Sequence, residues 1–387
     1  AVNELLSSDI DADVRRLLEI RQEMGKTSVK KYETMQNAVC ADGRIRGVLQ
    51  YYGANRTGRW AGRLVQVQNL PRNYLKELDA VRTLVKSHDF EIIEMLYDNP
   101  SDVFSQLIRT AFIAPEGMTF VISDFSAIEA RVIAWLAEET WRQEVFATHG
   151  KIYEASAAQM FHIPIESVTK DSDYRRKGKI AELALGYQGS VGALAKMGGE
   201  KMGLSEEEMA EIVKHWRAAN RQIVKLWKQL ETIAKETLRE GKSYSFRLGI
   251  RFETKKGSLF ITLPSGRKIA YYNAKLTGEG RSEKIKYEGM DQTTKKWTVM
   301  DTYGGKLVEN IVQAIARDCL AVSMQKIMEA GYRIVMHIHD EVVVQVSKVS
   351  AEEQMKYIKA LMDEAIPWAP GLKLNAEAFV SDYYLKD

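Results

Sequence analysis

Two hydrophobic segments that each run into an aspartate constrain the fold of this chain more than any other feature. Residues 118–122 precede Asp124, and residues 334–338 precede Asp340. Apolar residues at helical spacing follow Asp124, so this aspartate is predicted to lie at a strand-to-helix junction. Residues 342–346 are again apolar, which predicts a β-hairpin with Asp340 at or near its turn. If the two strands lie side by side, both carboxylates point to one place.

Two carboxylates at one place can form a metal site. They can hold two Mg²⁺ ions about 3.5–4 Å apart, the separation that in-line phosphoryl chemistry uses. Mn²⁺ is the expected substitute ion. Each aspartate taken alone also has a simpler interpretation, because a short acceptor side chain suits a helix N-cap at Asp124 and a turn at Asp340.

Composition limits the class of protein. At 387 residues the chain exceeds the roughly 250–300 at which a single hydrophobic core stops growing, so we expect two or more subdomains. A net charge of +3 requires any nucleic-acid surface to be a local concentration of Lys and Arg. Cys40 and Cys319 are too few for a zinc site or a disulfide framework, which indicates a reducing compartment.

The sequence also bears on location. No apolar run approaches the roughly 18 residues that a membrane span needs, and the N-terminus has no secretory pattern. We therefore expect a cytoplasmic protein without membrane association. Because the chain begins with Ala1, we expect a fragment or a processed product.

Hydrophobic periodicity divides the chain into helical and strand-rich regions. The regions predicted as helical are 1–40, 73–117, 137–241 and 307–328, and the region predicted as strands with glycine turns is 243–303. Inside the long helical region, Ser205 with Glu208 predicts a capping box, Asn220 a break between two helices and Gly241 a helix end. The β-rich part is therefore expected to follow a long helical part.

Residues 53–63 are rich in Gly and Arg, and they lead into residues 66–72. Glycine lets a backbone approach a phosphate chain closely, while Arg and Gln can hydrogen-bond phosphates or the acceptors of a minor groove. A basic glycine-rich loop can equally be a solvated turn. This segment is a candidate nucleic-acid contact.

Arg175, Lys179, Leu183 and Tyr187 follow one another at four-residue intervals. On a helix they would share one face, with cations at one end and apolar groups at the other. Such a face can hold a triphosphate while its apolar end supports a base and a sugar. A solvated charged face that runs into the core explains the same pattern equally well.

Taken in order, these motifs resemble those of family A DNA polymerases, and the resemblance spans nearly the whole chain. They are Thr57-Gly58-Arg59 with Gln68-Asn69-Leu70-Pro71, Asp124-Phe125-Ser126-x-Ile128-Glu129-x-Arg131, Arg175-x-x-x-Lys179 with Tyr187, Gln313 in a helix, and His339-Asp340-Glu341. Residues 182–189 resemble the bacteriophage branch of the family. Five motifs in the right order form a specific match.

The resemblance implies an α+β, right-hand polymerase fold. Its palm, with an antiparallel sheet, would comprise residues 42–136 and 304–387. Its mainly helical fingers would comprise residues 137–303, with the β-rich segment 243–303, and residues 1–41 would be the remnant of a truncated thumb.

The resemblance further implies template-directed DNA synthesis, in which dNTPs are added to a primer 3′-hydroxyl and pyrophosphate is released. Asp124 and Asp340 would bind two Mg²⁺, and Lys179 would assist the leaving group. The residues implied in dNTP binding are Arg175, Lys179, Leu183, Tyr187, Glu129 and His339, with Glu129 blocking the sugar 2′-hydroxyl. Those implied in primer and template binding are Arg59, Gln68, Asn69, Gln313 and Arg131.

The implied partners are primer-template DNA and dNTPs, in a bacterial or phage-infected cell. A monomer is expected, with an upstream exonuclease domain or separate replication proteins as further partners. No stretch supplies the paired acidic motifs of a proofreading domain, so this chain is expected to lack proofreading.

The sequence departs from the family pattern near the implied nucleotide pocket. Leu183 stands where an aromatic residue is usual, and Gln188 stands where glycine usually follows the tyrosine. Ala127 and Ala130 replace a more usual Gln and a larger apolar residue. These departures are expected to change how the pocket packs against a nucleotide.

Three other classes of protein use parts of this pattern. A single-subunit RNA polymerase shares both metal aspartates but does not need a blocking carboxylate, so Glu129 favours DNA synthesis. A two-metal nuclease clusters carboxylates but has no use for the Arg175, Lys179 and Tyr187 face. A non-catalytic DNA-binding module would tolerate loss of either aspartate, and both are present.

Overall fold

A computed structural model of the protein describes residues 2–24 and 29–386. Residues 25–28, which belong to the region 1–40 predicted as helical, lie outside the described residues. The described helices of this region are α1 (Val2–Leu6), α2 (Ala12–Met24) and α3 (Lys30–Ala38). A hairpin follows, made of β1 (Leu49–Ala54) and β2 (Arg59–Gly62), and a short 3₁₀ turn spans Val67–Asn69.

Short helices lead from this hairpin to the first aspartate strand, as the helical periodicity of 73–117 predicts. They are α4 (Leu78–Lys86), α5 (Phe90–Leu96) and α6 (Pro100–Leu107). The strand β3 (Met118–Phe125) and the helix α7 (Ile128–Ala137) come next. Asp124 therefore lies at the strand-to-helix junction that the sequence predicts.

The long helical region is also confirmed. It contains α8 (Thr140–Ala147), α9 (Ile152–Phe161), α10 (Asp173–Leu185), α11 (Val191–Leu194), α12 (Glu206–Ala219) and α13 (Arg221–Glu240). Ser205 and Glu208 form the predicted capping box, and Asn220 separates α12 from α13. Gly241 ends α13 with a φ of +67°, a left-handed conformation that glycine adopts without a steric cost.

An antiparallel sheet of six strands follows, which confirms the predicted β-rich segment. Its strands are β4 (Tyr244–Ser245), β5 (Arg251–Lys255), β6 (Ser258–Thr262), β7 (Lys268–Thr277), β8 (Lys284–Met290) and β9 (Trp297–Thr302). They pair in chain order, each with the next. The sheet is therefore a simple meander.

The last part of the chain contains one long helix and the second aspartate hairpin. Its elements are α14 (Gly304–Glu329), β10 (Arg333–Ile338), β11 (Glu341–Ser347), α15 (Ala351–Asp363) and β12 (Ala376–Ser381). A four-stranded antiparallel sheet forms in the order β10-β11-β3-β12, so strands from distant parts of the chain become neighbours. Among the described helices, none combines the length and the apolar composition that a membrane span needs.

The four-stranded sheet is buried on both faces. Successive side chains of a strand point to opposite faces, so Val121 and Val344 lie in the core that contains residues of α7, α14 and α15. Ile122 and Val343 lie in a second core on the other face, together with Tyr384. The side chain of Asp124, two residues after Ile122, lies on the same face of the sheet as this second core, at the end of the strand.

Arg142 and Glu182 form a buried ion pair that joins four helices of the long helical region. Both terminal nitrogens of Arg142 contact the carboxylate, and the two side chains are only 1% and 4% exposed. The carboxylate also accepts hydrogen bonds from Ser156 Oγ (2.8 Å) and Trp216 Nε1 (3.0 Å). Arg142 donates a further bond to Asn220 Oδ1 (2.9 Å). The buried charges therefore have several partners, and the packing of α8, α9, α10 and α12 depends on them.

Replacement of Glu182 by Leu is expected to lower the free energy of unfolding by about 3–5 kcal/mol, because the charge of Arg142 stays buried without its partner. Urea unfolding followed by circular dichroism measures the change. Glu211→Gln is the matched control, since Glu211 forms an exposed pair with Lys214 on α12. The control should show no resolvable change. Equal losses for the two variants would show that the buried pair has no special role.

Candidate active site

The two aspartates of the sequence lie side by side at one end of the four-stranded sheet. Asp124 is directly opposite Glu341 in the β3–β11 ladder, and the backbone N–H of Phe125 donates to the carbonyl oxygen of Asp340 (3.2 Å). Asp340 occupies the two-residue turn between β10 and β11 next to His339, which has a φ of +56°. The sheet register therefore gathers three carboxylates from two distant segments.

The carboxylates perturb one another strongly. Burial, followed by the negative charge of Asp124, raises the pKa of Asp340 from its ordinary value of 3.8 to about 7. Burial also raises the pKa of Glu341 from 4.5 to about 7, although the nearby ammonium of Lys386 opposes the shift. Negative charge is therefore costly here unless a cation is present.

Lys386 supplies such a cation. Its Nζ lies 3.4 Å from Asp124 Oδ2 and 3.4 Å from Glu341 Oε2. Burial lowers the pKa of Lys386, but the charges of Glu341 and Asp124 outweigh it and raise the pKa above 10.5. Tyr384 completes the arrangement, because its hydroxyl donates to Glu341 Oε1 (2.8 Å) and accepts from Arg109 Nη1 (2.9 Å).

These residues fit a divalent metal ion that keeps open positions. Asp124 Oδ1 is buried and has no hydrogen-bond partner among the described residues, so one ligand atom is free. Within the same part of the chain, no group of three or more His, Cys, Asp and Glu side chains is arranged to hold a metal ion. A metal at Asp124 and Asp340 would therefore take its other ligands from water and from a substrate, which is typical of Mg²⁺.

Glu129, at the start of α7, is fixed by two donors from different parts of the chain. Arg59 Nη2 on β2 donates to Glu129 Oε1 (2.7 Å), and the hydroxyl of Tyr187 donates to Oε2 (2.7 Å). Burial and the charge of Glu129 raise the pKa of Tyr187 well above 10, which keeps the hydroxyl protonated. The side chain is about one-third exposed, so part of it remains accessible to solvent.

The predicted basic face lies on α10, with one correction. Lys179 and Leu183 are exposed on this helix, and Arg175 pairs with Glu154 of α9 (2.6 Å). The prediction that Tyr187 shares the helical face was wrong, since α10 ends at Leu185. Tyr187 follows the helix in a turn, and that turn is what allows its hydroxyl to reach Glu129.

Gln188, one of the departures from the family pattern, has a structural role. Its φ is +66°, and its side-chain Oε1 accepts a hydrogen bond from the backbone N–H of Gly305 (2.9 Å). Gly305 has no room for a side chain, because a Cβ would lie 2.4 Å from the carbonyl oxygen of Tyr187. The segment after α10 is therefore clamped to the first turn of α14.

The hairpin β1–β2 packs against α14. Arg317 Nε donates to the carbonyl oxygen of Gly58 (3.1 Å), and its guanidinium lies 4.1 Å from the centre of the Trp60 ring. Gln313 lies one helical turn earlier and is half-buried. The ring of Trp60 is 4.6 Å from that of His337, whose pKa is lowered to about 4 by burial and by the charge of Arg317. Arg59 and Gln313 therefore lie on two elements that pack against each other.

The other residues implied in primer and template binding lie at the ends of loops. Gln68 and Asn69 end the short 3₁₀ turn; Asn69 is exposed, and Gln68 Oε1 is buried without a hydrogen-bond partner among the described residues. His339 lies in the turn beside Asp340, where partial desolvation of its ring by the surrounding protein, followed by the charge of Arg59, lowers its pKa. A neutral imidazole is therefore available to donate or accept one hydrogen bond.

Arg131 does not belong to this surface. Its side chain is 3% exposed, and it donates to the carbonyl oxygens of Ser126 (2.7 Å) and Lys373 (3.1 Å). Its guanidinium also lies 4.5 Å from the centre of the Phe146 ring. These contacts hold the start of α7 in place, so the structure gives no support to a DNA contact by Arg131.

Sequence reasoning missed Lys386, Tyr384 and the site role of Glu341. A signal existed for Glu341, because it is an acidic residue that opens a strand predicted to be buried. No local signal marks Lys386, which reaches Asp124 only because β12 pairs with β3 and brings the following segment with it. Arg317 was also missed, and its position one turn after Gln313 is the signal that could have found it.

The comparison with known proteins agrees with this geometry. The model of DNA polymerase family A matches residues 3–254, and the chain belongs to this family. Among its relatives, the DNA polymerase of Bacillus phage SP02 is 55% identical over all of this chain and 59% of the relative. The thermostable DNA polymerase I of Thermus caldophilus is 26% identical over 70% of this chain and 28% of the relative.

A solved structure has the same fold. It is described as the POL domain of Pol1 from M. smegmatis in complex with DNA primer-template and dNTP. It aligns with a TM-score of 0.60 and 20% sequence identity, over 92% of this chain and 51% of that chain. The chain thus spans 59% or less of these relatives.

Replacement of Asp340 by Asn is expected to stabilise the metal-free protein, and the gain should grow with pH. Between the unfolded pKa of about 4 and the folded value of about 7, the folded state keeps a proton that the unfolded state releases. Wild-type stability is therefore lost as pH rises through this window, whereas the variant has no such proton. Above pH 7 the gain should reach roughly 1–4 kcal/mol.

Urea unfolding in EDTA at pH 5, 6, 7 and 8 measures this difference. The exposed Asp171→Asn variant is the control, and its difference from wild type should not depend on pH. Protonation of His337 changes the free energy of unfolding with the opposite sign below pH 6.5. Because His337 is present in all three proteins, its contribution cancels in the differences. A pH-independent gain for Asp340→Asn would contradict the raised pKa.

Replacement of Lys386 by Met is expected to tighten Mn²⁺ binding, because the ammonium and the metal ion compete for the same carboxylates. One unit charge about 4 Å away is worth about 1 kcal/mol even at the dielectric constant of water, so the Kd should fall about fivefold or more. Isothermal titration with Mn²⁺ at constant pH gives the Kd. Lys348→Met, at an exposed pair with Asp382, is the control. A Kd that is unchanged or higher in Lys386→Met would exclude the competition.

Proposed function

We propose that this chain is the polymerase domain of a DNA-directed DNA polymerase, which adds dNTPs to a primer 3′-hydroxyl and releases pyrophosphate. The observation that carries the proposal is the meeting of Asp124 and Asp340 at the β3–β11 ladder, where burial and mutual repulsion demand a cation. Primer-template DNA and dNTPs are the proposed partners. The M. smegmatis structure, which contains both, supports this choice.

The proposed architecture is that of a right hand. The palm comprises residues 42–136 and 304–387 around the four-stranded sheet, and the fingers comprise residues 137–303. Residues 1–41 belong to the thumb. We propose a monomer that works with an upstream exonuclease domain or with separate replication proteins.

Asp124 and Asp340 would hold two Mg²⁺. When bound, such ions lower the pKa of the attacking hydroxyl and neutralise charge on the leaving pyrophosphate. The protein's part is to present ionised carboxylates in a fixed register, with Glu341 and Tyr384 behind them. Lys386 would hold this geometry before metal binding and then give up its contacts with Asp124 and Glu341.

The exposed face of α10 would bind the triphosphate. Lys179 is exposed and forms no ion pair with any described residue within 4 Å, so its ammonium can meet phosphate oxygens or assist the leaving pyrophosphate. Arg175 is held by Glu154, which orients its guanidinium at the adjacent turn of the helix. Leu183 would contact the base or sugar by an aliphatic surface, in place of the stacking that an aromatic side chain provides.

Glu129 would recognise the sugar. A carboxylate held by two hydrogen bonds cannot swing away, so a 2′-hydroxyl would meet it at a fixed place. Discrimination by a fixed, partly buried group is stronger than discrimination by a mobile one, because moving it breaks existing bonds. This contact supports DNA rather than RNA as the product.

The surface of the hairpin β1–β2 and α14 would face the primer-template duplex. Arg59, Gln68, Asn69, Gln313 and His339 are the proposed contacts along it. Minor-groove acceptors occupy similar positions in every base pair, so such contacts test pairing geometry without reading sequence.

Replacement of Asp124 by Asn tests the proposal. Primer extension with Mg²⁺ and dNTPs should fall at least about 10³-fold, because metal-ion stabilisation is worth several kcal/mol. Binding of a labelled primer-template, measured by fluorescence anisotropy, should change little. The exposed Asp98→Asn variant is the control and should extend normally.

The same gel distinguishes the competing classes of protein. Elongation by the wild type with dNTPs supports the proposal, whereas elongation with rNTPs alone would indicate an RNA polymerase. Shortening of the primer would indicate a nuclease. Normal extension by Asp124→Asn would remove the aspartate pair from the mechanism.

A further inference from the structure

The outer face of the six-stranded sheet carries an exposed apolar strip. Tyr272, Met290, Trp297 and Val299 are 53%, 38%, 52% and 53% exposed. The ladder places them together, since Tyr272 and Val299 are both opposite Glu288, and Met290 is opposite Trp297. Contiguous apolar side chains that are exposed to solvent often mark an interaction site.

The inner face of the same sheet shows that this exposure is selective. Tyr271 and Tyr287 alternate with the exposed residues, are at most 4% exposed, and pack edge to face with ring centres 5.0 Å apart. Tyr271 also accepts a hydrogen bond from Asn310 of α14 (2.8 Å). The sheet is therefore anchored by one face, and the other face is left with aromatic side chains in solvent.

The two exposed rings form a pair. The ring centres of Tyr272 and Trp297 are 5.9 Å apart, with planes inclined by 49°. Glu288 lies between them and accepts hydrogen bonds from Trp297 Nε1 (3.3 Å) and from Asn273 Nδ2 (2.6 Å). These bonds lower the pKa of Glu288 and hold the indole in one orientation. Rings held in place lose less entropy when a flat ligand stacks on them.

Three lysines continue the outer face further along the strands, beyond Tyr272 and Glu288. Lys275 is directly opposite Lys286, and Lys284 follows on the same face. None of the three forms an ion pair within 4 Å with any described residue. Glu288 and Asp301 are the acidic side chains of β8 and β9 on this face, and Asp301 is directly opposite Lys286, so the three lysines and two carboxylates leave a net charge of +1. Aromatic rings beside unpaired lysines are the combination that binds unpaired nucleic acid.

The β1–β2 hairpin of the proposed duplex surface contacts this sheet from its inner face, where Arg56 Nη2 lies 3.6 Å from Sδ of Met300, the residue opposite Tyr287. Arg56, at the tip of the β1–β2 hairpin, donates from Nη2 to the carbonyl oxygen of Met290 (3.5 Å). The hydroxyl of Tyr52 on β1 donates to the carbonyl oxygen of Lys268 (3.2 Å). The hairpin therefore reaches the sheet without covering the exposed strip.

We propose that this outer face binds single-stranded nucleic acid, by base stacking on Tyr272 and Trp297 and by phosphate contacts with Lys275, Lys284 and Lys286. The strand it holds is the unpaired template. The choice of strand rests on the proposed function, whereas single-strand binding itself needs neither catalysis nor metal. Stacking accepts every base, so the site should show little sequence preference.

Fluorescence anisotropy with a 5′-fluorescein-labelled dT20 in EDTA tests the site. The double variant Tyr272→Ala/Trp297→Ala should bind at least about tenfold more weakly than the wild type, because each stacked base is worth about fivefold or more. Tyr357→Ala is the matched control, since Tyr357 is 50% exposed and its ring centre is 6.0 Å from that of Tyr332. The control should bind as the wild type does.

Two primer-templates identify the strand. The double variant should lose affinity for a primer-template with a 20-nucleotide template overhang, but not for one with a 2-nucleotide overhang. Incorporation of a single nucleotide on the short overhang should be unchanged. One outcome is that the double variant loses dT20 binding while the wild type fails to extend a primer. That pair of results would support the single-strand site and reject the proposed function.

Other results would overturn the proposal. These are equal dT20 affinity in wild type and double variant, equal losses for dT20 and for a blunt duplex, or a wild-type dimer that the substitutions dissociate in size-exclusion chromatography. If the double variant does not fold, Lys284→Gln/Lys286→Gln carries the test. The slope of log affinity against log salt should then fall by roughly 0.7 for each lysine removed, and an unchanged slope would reject the site.

Discussion

The close approach of Asp124, Asp340 and Glu341 is the constraint on which the rest of the site depends. Three carboxylates share the end of one ladder because β3 and β11 pair with Asp124 opposite Glu341, the register in which Val342 and Val344 face the core of α7, α14 and α15. The burial of apolar side chains therefore imposes the electrostatic strain. Lys386 relieves part of it with a single positive charge between two carboxylates.

Sequence reasoning found the features that local physics determines. The strand before Asp124, the hairpin around Asp340, the capping box at Ser205 and the break at Asn220 all depend on neighbours within a few residues, and all are present. The grouping of Arg59, Glu129 and Tyr187 required tertiary contacts, and no spacing rule indicates that Tyr187 leaves the helix and points to Glu129.

Tertiary contacts also determine what Arg131 and Gln188 do. Arg131 lies one turn after Ile128 in a motif that the resemblance links with DNA. Its guanidinium is buried beside the start of α7, where it donates to backbone carbonyl oxygens. Gln188 departs from the family pattern beside the implied pocket, and its side chain accepts a hydrogen bond from the start of α14, a contact that the sequence pattern does not indicate. The type and spacing of a residue indicate which contacts it can form. The segments that pack against it in the folded chain determine which contacts it does form.

The bonds of Glu129 have a mechanical consequence. Its carboxylate accepts one hydrogen bond from Arg59 of β2, near the proposed primer surface. It accepts another from Tyr187, in the turn after α10, the helix that carries the proposed nucleotide face. These two parts of the molecule cannot separate without leaving a partly buried charge with a single partner. Any movement of β2 away from the turn after α10 therefore has to break at least one of the two hydrogen bonds to Glu129.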